Sequence, residues 1–111
     1  MRYFETFFMV DASEFIESLD KKVATKVLYN IDLAEQGNDV RLFKKLKHDI
    51  WEFRTKYAGL QVRLLAFWDK SDNKSTLVIA THGFIKKVDK IQGKEIDRAI
   101  ALRQEYFKPK K

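Results

Sequence analysis

The spacing of apolar residues changes once along this chain, near Arg41, and that change constrains the fold more than any other feature. Before it, Ile16, Leu19, Val23, Val27, Ile31 and Ala34 recur at intervals of three and four, which marks one side of a helix. The stretch from Ser13 to Gln36 is long for one globular helix, and Asp20 can cap a second one, so a helical hairpin broken near Leu19 is expected, ending at Gly37. After Arg41, Ile50–Tyr57, Leu60–Asp69 and Lys74–Phe84 are apolar-rich runs divided by Ala58-Gly59 and Ser71-Asp72-Asn73, the pattern of consecutive hairpins. The aromatic and β-branched run from Arg2 to Val10 reads as a further strand. Ile96, Ala99, Ile100, Arg103 and Phe107 mark one side of a closing helix between Gly93 and Pro109. The expected order is β-α-α-β-β-β-α, an α+β domain with a four-stranded antiparallel sheet packed by an N-terminal helical hairpin and a C-terminal helix.

With 111 residues, 45% of them hydrophobic, there is material for one core, so residues 1–111 are expected to form a single domain. The absence of Cys removes disulfides, thiolate metal sites and thiol catalysis, and two His alone do not make a structural metal site. No apolar run reaches the ~18–20 residues of a membrane span. The segment after Met1 lacks a basic start followed by an apolar signal stretch, so a cytoplasmic protein without membrane contact is expected. Charge is divided unevenly: residues 1–40 carry net −4 and residues 41–111 net +10. A basic half on so small a domain points to a nucleic-acid partner, because clustered Lys and Arg release counterions from phosphate. Ordinary solvated lysines are the plain alternative.

Strand alternation places Arg54 on one face with Glu52 and Ile50, and Arg63 on one face with Leu65 and Phe67. Paired in register, both arginines look out of the same face, where a guanidinium fork suits phosphate; an ion pair of Arg54 with Glu52 or with an acid on a neighbouring strand is the competing reading. Lys44, Lys45 and Lys47 precede the first meander strand, and Lys86, Lys87, Lys90 and Lys94 follow the last, either as a phosphate groove or as two solvated loops. Trp51, Phe53, Tyr57, Phe67, Trp68, Phe84 and Tyr106 supply core, with one or two left to stack on an exposed base. His48 and His82 carry the side-chain type whose unperturbed pKa lies near neutrality, so either suits a general acid or base, an ordinary structural His being the plain alternative. A Gly-rich phosphate loop, a Gly-x-Ser-x-Gly elbow and a paired-His metal motif are all missing from the sequence, which disfavours ATPases, serine hydrolases and zinc proteases.

Taken in order, Lys44-Lys45-Leu46-Lys47-His48-Asp49-Ile50-Trp51-Glu52-Phe53-Arg54, then Arg63 early in an apolar strand, then His82-Gly83-Phe84-Ile85-Lys86-Lys87, then Ala99, Arg103 and Tyr106 resemble the RelE/HigB-like toxins of bacterial type II toxin–antitoxin systems. Within that superfamily the pattern is most similar to the phage-derived HigB-type branch, over roughly residues 2–107. The resemblance implies an endoribonuclease that cuts mRNA on the ribosome and a helix-turn-helix antitoxin that neutralises it. It implies Arg54, Arg63 and Lys87 as phosphate and transition-state contacts, His82 or Tyr106 for proton transfer, and Lys44, Lys45, Lys47, Lys86 and Lys90 as RNA contacts. Attack of the 2′-OH on its own phosphate needs acid, base and positive charge, and requires neither metal nor cofactor. The acidic and His constellation that some branches carry near the C terminus is missing from this sequence. Two alternatives stay open: a ParE-like toxin that acts on DNA gyrase without cutting nucleic acid, and an inactive phage-derived nucleic-acid-binding domain.

Overall fold

The computed structural model describes residues 2–37, 39–71, 73, 76–87, 91 and 93–109. Strand β1 (Glu5–Phe8) leads into helices α1 (Val10–Ser18) and α2 (Lys21–Glu35), then strands β2 (Phe43–Lys45), β3 (Trp51–Tyr57), β4 (Leu60–Asp69) and β5 (Leu77–Ile85), and helix α3 (Gly93–Phe107). The helical hairpin breaks where expected: Leu19 is extended, and the Asp20 carboxylate accepts a hydrogen bond from the Lys22 backbone N–H at 3.2 Å. Ala58 and Gly59 both take positive φ, 52° and 79°, which suits the two-residue turn joining right-twisted strands β3 and β4.

The α+β class holds, but the sheet has five strands, in the order β1-β5-β4-β3-β2, rather than four. The added strand is β2, whose Phe43 and Lys45 lie opposite Phe53 and Trp51. Three residues are too short for a period of two to register in the sequence. The sheet is also mixed: β1 pairs parallel with β5, Glu5 beside Leu77 and Phe8 beside Ala80, instead of joining an all-antiparallel sheet. β2 explains the direction as well. It extends the antiparallel meander to four strands, so β5 runs opposite to β2 and along β1.

Each face of the sheet has its own apolar layer. On the first face, Ala12 and Ile16 of α1 and Val23, Val27, Ile31 and Ala34 of α2 pack on Phe53, Val62, Leu64, Ala66, Val78 and Ala80. This is the helical stripe of the sequence meeting the alternate positions of three strands. Phe4, Phe43, Trp51 and Trp68 close its edge with ring centroids 4.9–6.2 Å apart. A Cβ at Gly83 would lie 2.2 Å from the Phe15 ring, so α1 reaches β5 because that strand position has no side chain. On the second face, Ile96 and Ala99 of α3 pack on Leu65, Phe67 and Ile79 together with Ile50. Between Leu65–His82 and Ala66–Ala80 the register slips by one residue, leaving Thr81 as a bulge that turns His82 toward α3.

Candidate nucleic-acid interface

The second face divides along its length. One half carries the apolar rows under α3. The other carries Glu52, Arg54 and Arg63, whose side-chain partners among the described residues all come from β3 and β4. Arg54 and Arg63 stand directly opposite each other in the ladder, a pairing of like charges that is unfavourable alone. Glu52 resolves it. One carboxylate oxygen lies 3.4 Å from Arg54 Nε and the other 3.6 Å from Arg63 Nε. Arg63 also donates from Nη1 to the Val62 carbonyl at 3.1 Å and from Nη2 to Gln61 Oε1 at 2.8 Å. The Arg63 and Glu52 side chains are 3% and 5% exposed, while Arg54 is 33% exposed. Burial lowers the Arg63 pKa against the pull of Glu52, and Arg54 lowers it further; a guanidinium stays charged regardless.

Arg54 and Arg63 line a groove of about 640 Å³ shared with Lys26, Arg41, Lys56 and Gln61. Five cations therefore meet one carboxylate on its wall, Asp39, and that one is held by Arg41 at 2.9 Å. The Lys86 backbone N–H donates to the Gln61 carbonyl at 2.7 Å, which brings half-buried Lys86 and exposed Lys87 to the same end of β4. Lys44 lies opposite Glu52, exposed and on this face. Lys26, Arg41 and Lys56 are additions that sequence reasoning missed. Arg54-Thr55-Lys56 alternation could have signalled Lys56, but nothing local brings α2 and the residues before β2 to that groove.

The other expected residues lie elsewhere. His82 is buried, with Nδ1 3.0 Å from Thr81 Oγ1 and Nε2 3.1 Å from Glu95 Oε1 on the first turn of α3. The neutral ring donates from Nε2 to Glu95 and accepts the Thr81 hydroxyl; the charged ring donates from both nitrogens, with the hydroxyl turned to the Leu65 carbonyl at 3.2 Å. Burial lowers its pKa, the Glu95 carboxylate opposing that shift. Tyr106 donates to Asp69 Oδ2 at 2.7 Å, and burial with that carboxylate pushes the phenol up to about 12. Eleven residues of α3, about 16 Å, separate it from Glu95, and six residues of β4, about 20 Å, separate Asp69 from Arg63. Lys45 and Lys47 stand at the opposite end of the sheet from Lys86 and Lys87, Lys45 beside Asp49 at 3.5 Å. His48 occupies an exposed turn at φ 59°, and Lys90 lies outside the described residues. The expected site residues thus form separate groups, and the one containing both arginines lines the more cationic groove. Among the described residues, no three His, Asp or Glu side chains converge as a metal site, and no helix is long and apolar enough to cross a membrane.

Residues 14–104 match the family model described as Phage derived protein Gp49-like (DUF891). No curated protein matches the sequence. Among solved structures, a double arginine-to-alanine mutant of E. coli toxin RelE in the free state aligns with a TM-score of 0.63 at 16% identity, over 91% of this chain and 97% of that one. A chain of the RelBE2 toxin–antitoxin complex from Mycobacterium tuberculosis aligns with a TM-score of 0.51 at 16% identity, over 78% of this chain and 100% of that one. At such identities the likeness speaks for the fold. The five-stranded sheet with its helical hairpin and closing helix is a RelE-like fold, and the protein belongs to the phage-derived Gp49-like family.

Proposed function

We propose that this protein is the toxin of a type II toxin–antitoxin pair and cuts mRNA on the ribosome. The observation that carries the reading is the groove lined by Lys26, Arg41, Arg54, Lys56 and Arg63, a concave cationic surface on a RelE-like fold. In the proposed reaction the 2′-oxygen attacks the adjacent phosphorus, the P–O2′ bond forms and the P–O5′ bond breaks. The products are a 2′,3′-cyclic phosphate and a 5′-hydroxyl, with the 2′ proton taken by a base and a proton delivered to the 5′ oxygen. Negative charge grows on the phosphorane oxygens, and positive groups fixed in advance stabilise it.

Half-buried Arg54, held through Nε by Glu52, and exposed Lys87 are the groups proposed to meet those oxygens. Buried Arg63 serves by fixing Glu52, and through it the Arg54 guanidinium. Lys44 and Lys86 flank the same strip as backbone anchors. We assign proton transfer to His82 with Glu95 rather than to Tyr106, because His82 lies two ladder rows from Arg63 whereas Tyr106 is at the far end of the sheet. A basic face also suits an acidic or amphipathic segment of a cognate antitoxin, which would block it.

Engagement of both arginines by Glu52 favours one second reading, in which the cluster is structural and the face binds protein, as in a gyrase-directed toxin. Primer extension on mRNA after brief induction separates the two. Codon-linked breaks are expected; intact mRNA with inhibited gyrase supercoiling would replace the nuclease with the second reading.

A further inference from the structure

A second groove, of about 610 Å³, lies at the far end of the sheet, where Lys45, Trp51, Trp68, Lys70 and Arg103 converge. Five residues of β4, about 17 Å, separate Trp68 from Arg63. The two tryptophans are half-buried and rigidly supported: Trp51 stacks on Phe43 with centroids 4.9 Å apart, and Trp68 meets it edge-on at 5.9 Å. Three cations and one carboxylate, Asp49, line the wall, and Asp49 is already opposite Lys45 at 3.5 Å. The neighbouring acid is also spoken for. Asp69 accepts the Tyr106 hydroxyl at 2.7 Å, the Ser71 hydroxyl at 2.6 Å and the Ser71 N–H at 2.9 Å, so both of its oxygens are engaged by neutral donors. This gives Tyr106 a positioning role at the groove.

We propose that this groove binds single-stranded RNA, a base stacking against the Trp51–Trp68 pair and the adjoining phosphates resting on Lys45, Lys70 and Arg103. Fixed aromatic faces accept any base, and cations beside them hold the backbone, so the combination suits an unpaired strand of unspecified sequence. The inference rests on the nuclease reading in one respect: it lets a substrate already engaged at Arg54 on the second face pass round the end of the strands to a second anchor, whose tryptophans belong to the first face.

The chain has two tryptophans, and both line this groove as well as the neighbouring cavity of Tyr3, Phe4 and Asp39, so selectively excited tryptophan fluorescence reads this end of the sheet and the charge reversals at Lys70 and Arg103 assign the response to the groove. Titration of the whole protein with a short 2′-O-methyl oligoribonucleotide, which cannot be cut through a 2′-OH, is expected to give saturable quenching that weakens with salt. In Lys70→Glu/Arg103→Glu the quenching should need a higher oligonucleotide concentration, and each phosphate interaction removed should lower the log–log salt slope by about 0.7. Lys70→Glu alone, on an exposed side chain, gives the same test with half the expected slope change if the double variant fails to fold. Oligonucleotide binding seen by anisotropy without any tryptophan response would overturn the proposal. So would unchanged quenching in the charge-reversed variants, or equal quenching by an acidic peptide, which would assign the groove to a protein segment. Ribosomal mRNA cleavage is read separately on the wild type. Quenching without cleavage would strike the nuclease reading and leave the groove standing; cleavage without quenching would do the reverse.

Discussion

The two faces of the sheet are built from different physics. The first is an apolar layer, where α1 and α2 lay one stripe of Ile, Val and Ala on the inward positions of β3, β4 and β5. The second is apolar only under α3 and then gives way to two arginines and a glutamate, two of the three buried. Burying apolar area stabilises a fold by roughly 25 cal/mol per Å² with no requirement on direction. Burying charge is costly and is tolerated only when each group is paired. The first face is therefore where stability should reside, and the second is where structure is held against an electrostatic cost, as sites that bind charged ligands are.

That contrast can be broken most forcefully on the first face. Phe53→Ala, in a side chain 2% exposed and flanked by Phe4 and Phe43, should destabilise by about 3–5 kcal/mol. Guanidinium melts should show the loss in the midpoint without a change in slope; a cost below ~1 kcal/mol would mean that this layer is not the main core.

Arg63→Ala comes next. It leaves Glu52 buried beside Arg54 alone, and breaking a buried pair costs about 3–5 kcal/mol. A joint Glu52→Leu/Arg63→Met replacement should recover most of that stability while abolishing toxicity, which separates structural pairing from function. If the single variant melts like the wild type and the double does not recover, the charge balance described for the second face is wrong.

The smallest effect concerns acid. Burial, with Arg98 adding to it, lowers the His82 pKa, while Glu95 and Asp11 pull it upward. The native state then binds fewer protons at this site than the unfolded chain, whose imidazole titrates near ~6.5. The contribution is present above about pH 6.5 and is lost as pH falls through the lower native value. His82→Gln should flatten stability across that acidic window, and an unchanged pH profile would show that His82 is not buried neutral.

How much of this was legible in the sequence follows the same division. Ile16 to Ala34 announce their helices because burial of one side imposes a period near 3.6, and Ala58-Gly59 announces its hairpin because both positions need positive φ. β2 escaped because three residues carry no period. The parallel β1–β5 pairing escaped with it, since strand direction depends on the number of strands between. On the second face the alternation of Glu52, Arg54 and Arg63 was readable, and so was the possibility that Glu52 pairs with Arg54. What local pattern did not contain was distance across the fold: Glu95 meeting His82, Tyr106 meeting Asp69, and Lys26 with Arg41 reaching the groove of Arg54. For the same reason the expected catalytic set divides, with Arg54, Arg63 and Lys87 toward one end of the sheet and Tyr106 at the other.

The central claim is that the half of the second face bearing Arg54 cuts RNA. Arg54→Ala tests it most directly, because Arg54 is the more exposed of the two arginines and its removal leaves the Glu52–Arg63 pair in place. Ribosome-dependent cleavage and thermal melting should be measured on one preparation. The account predicts a melting temperature close to wild type and a cleavage rate reduced by about 10²-fold or more, the loss typical of one group that stabilises transition-state charge. A variant that melts normally and cleaves at the wild-type rate would contradict it.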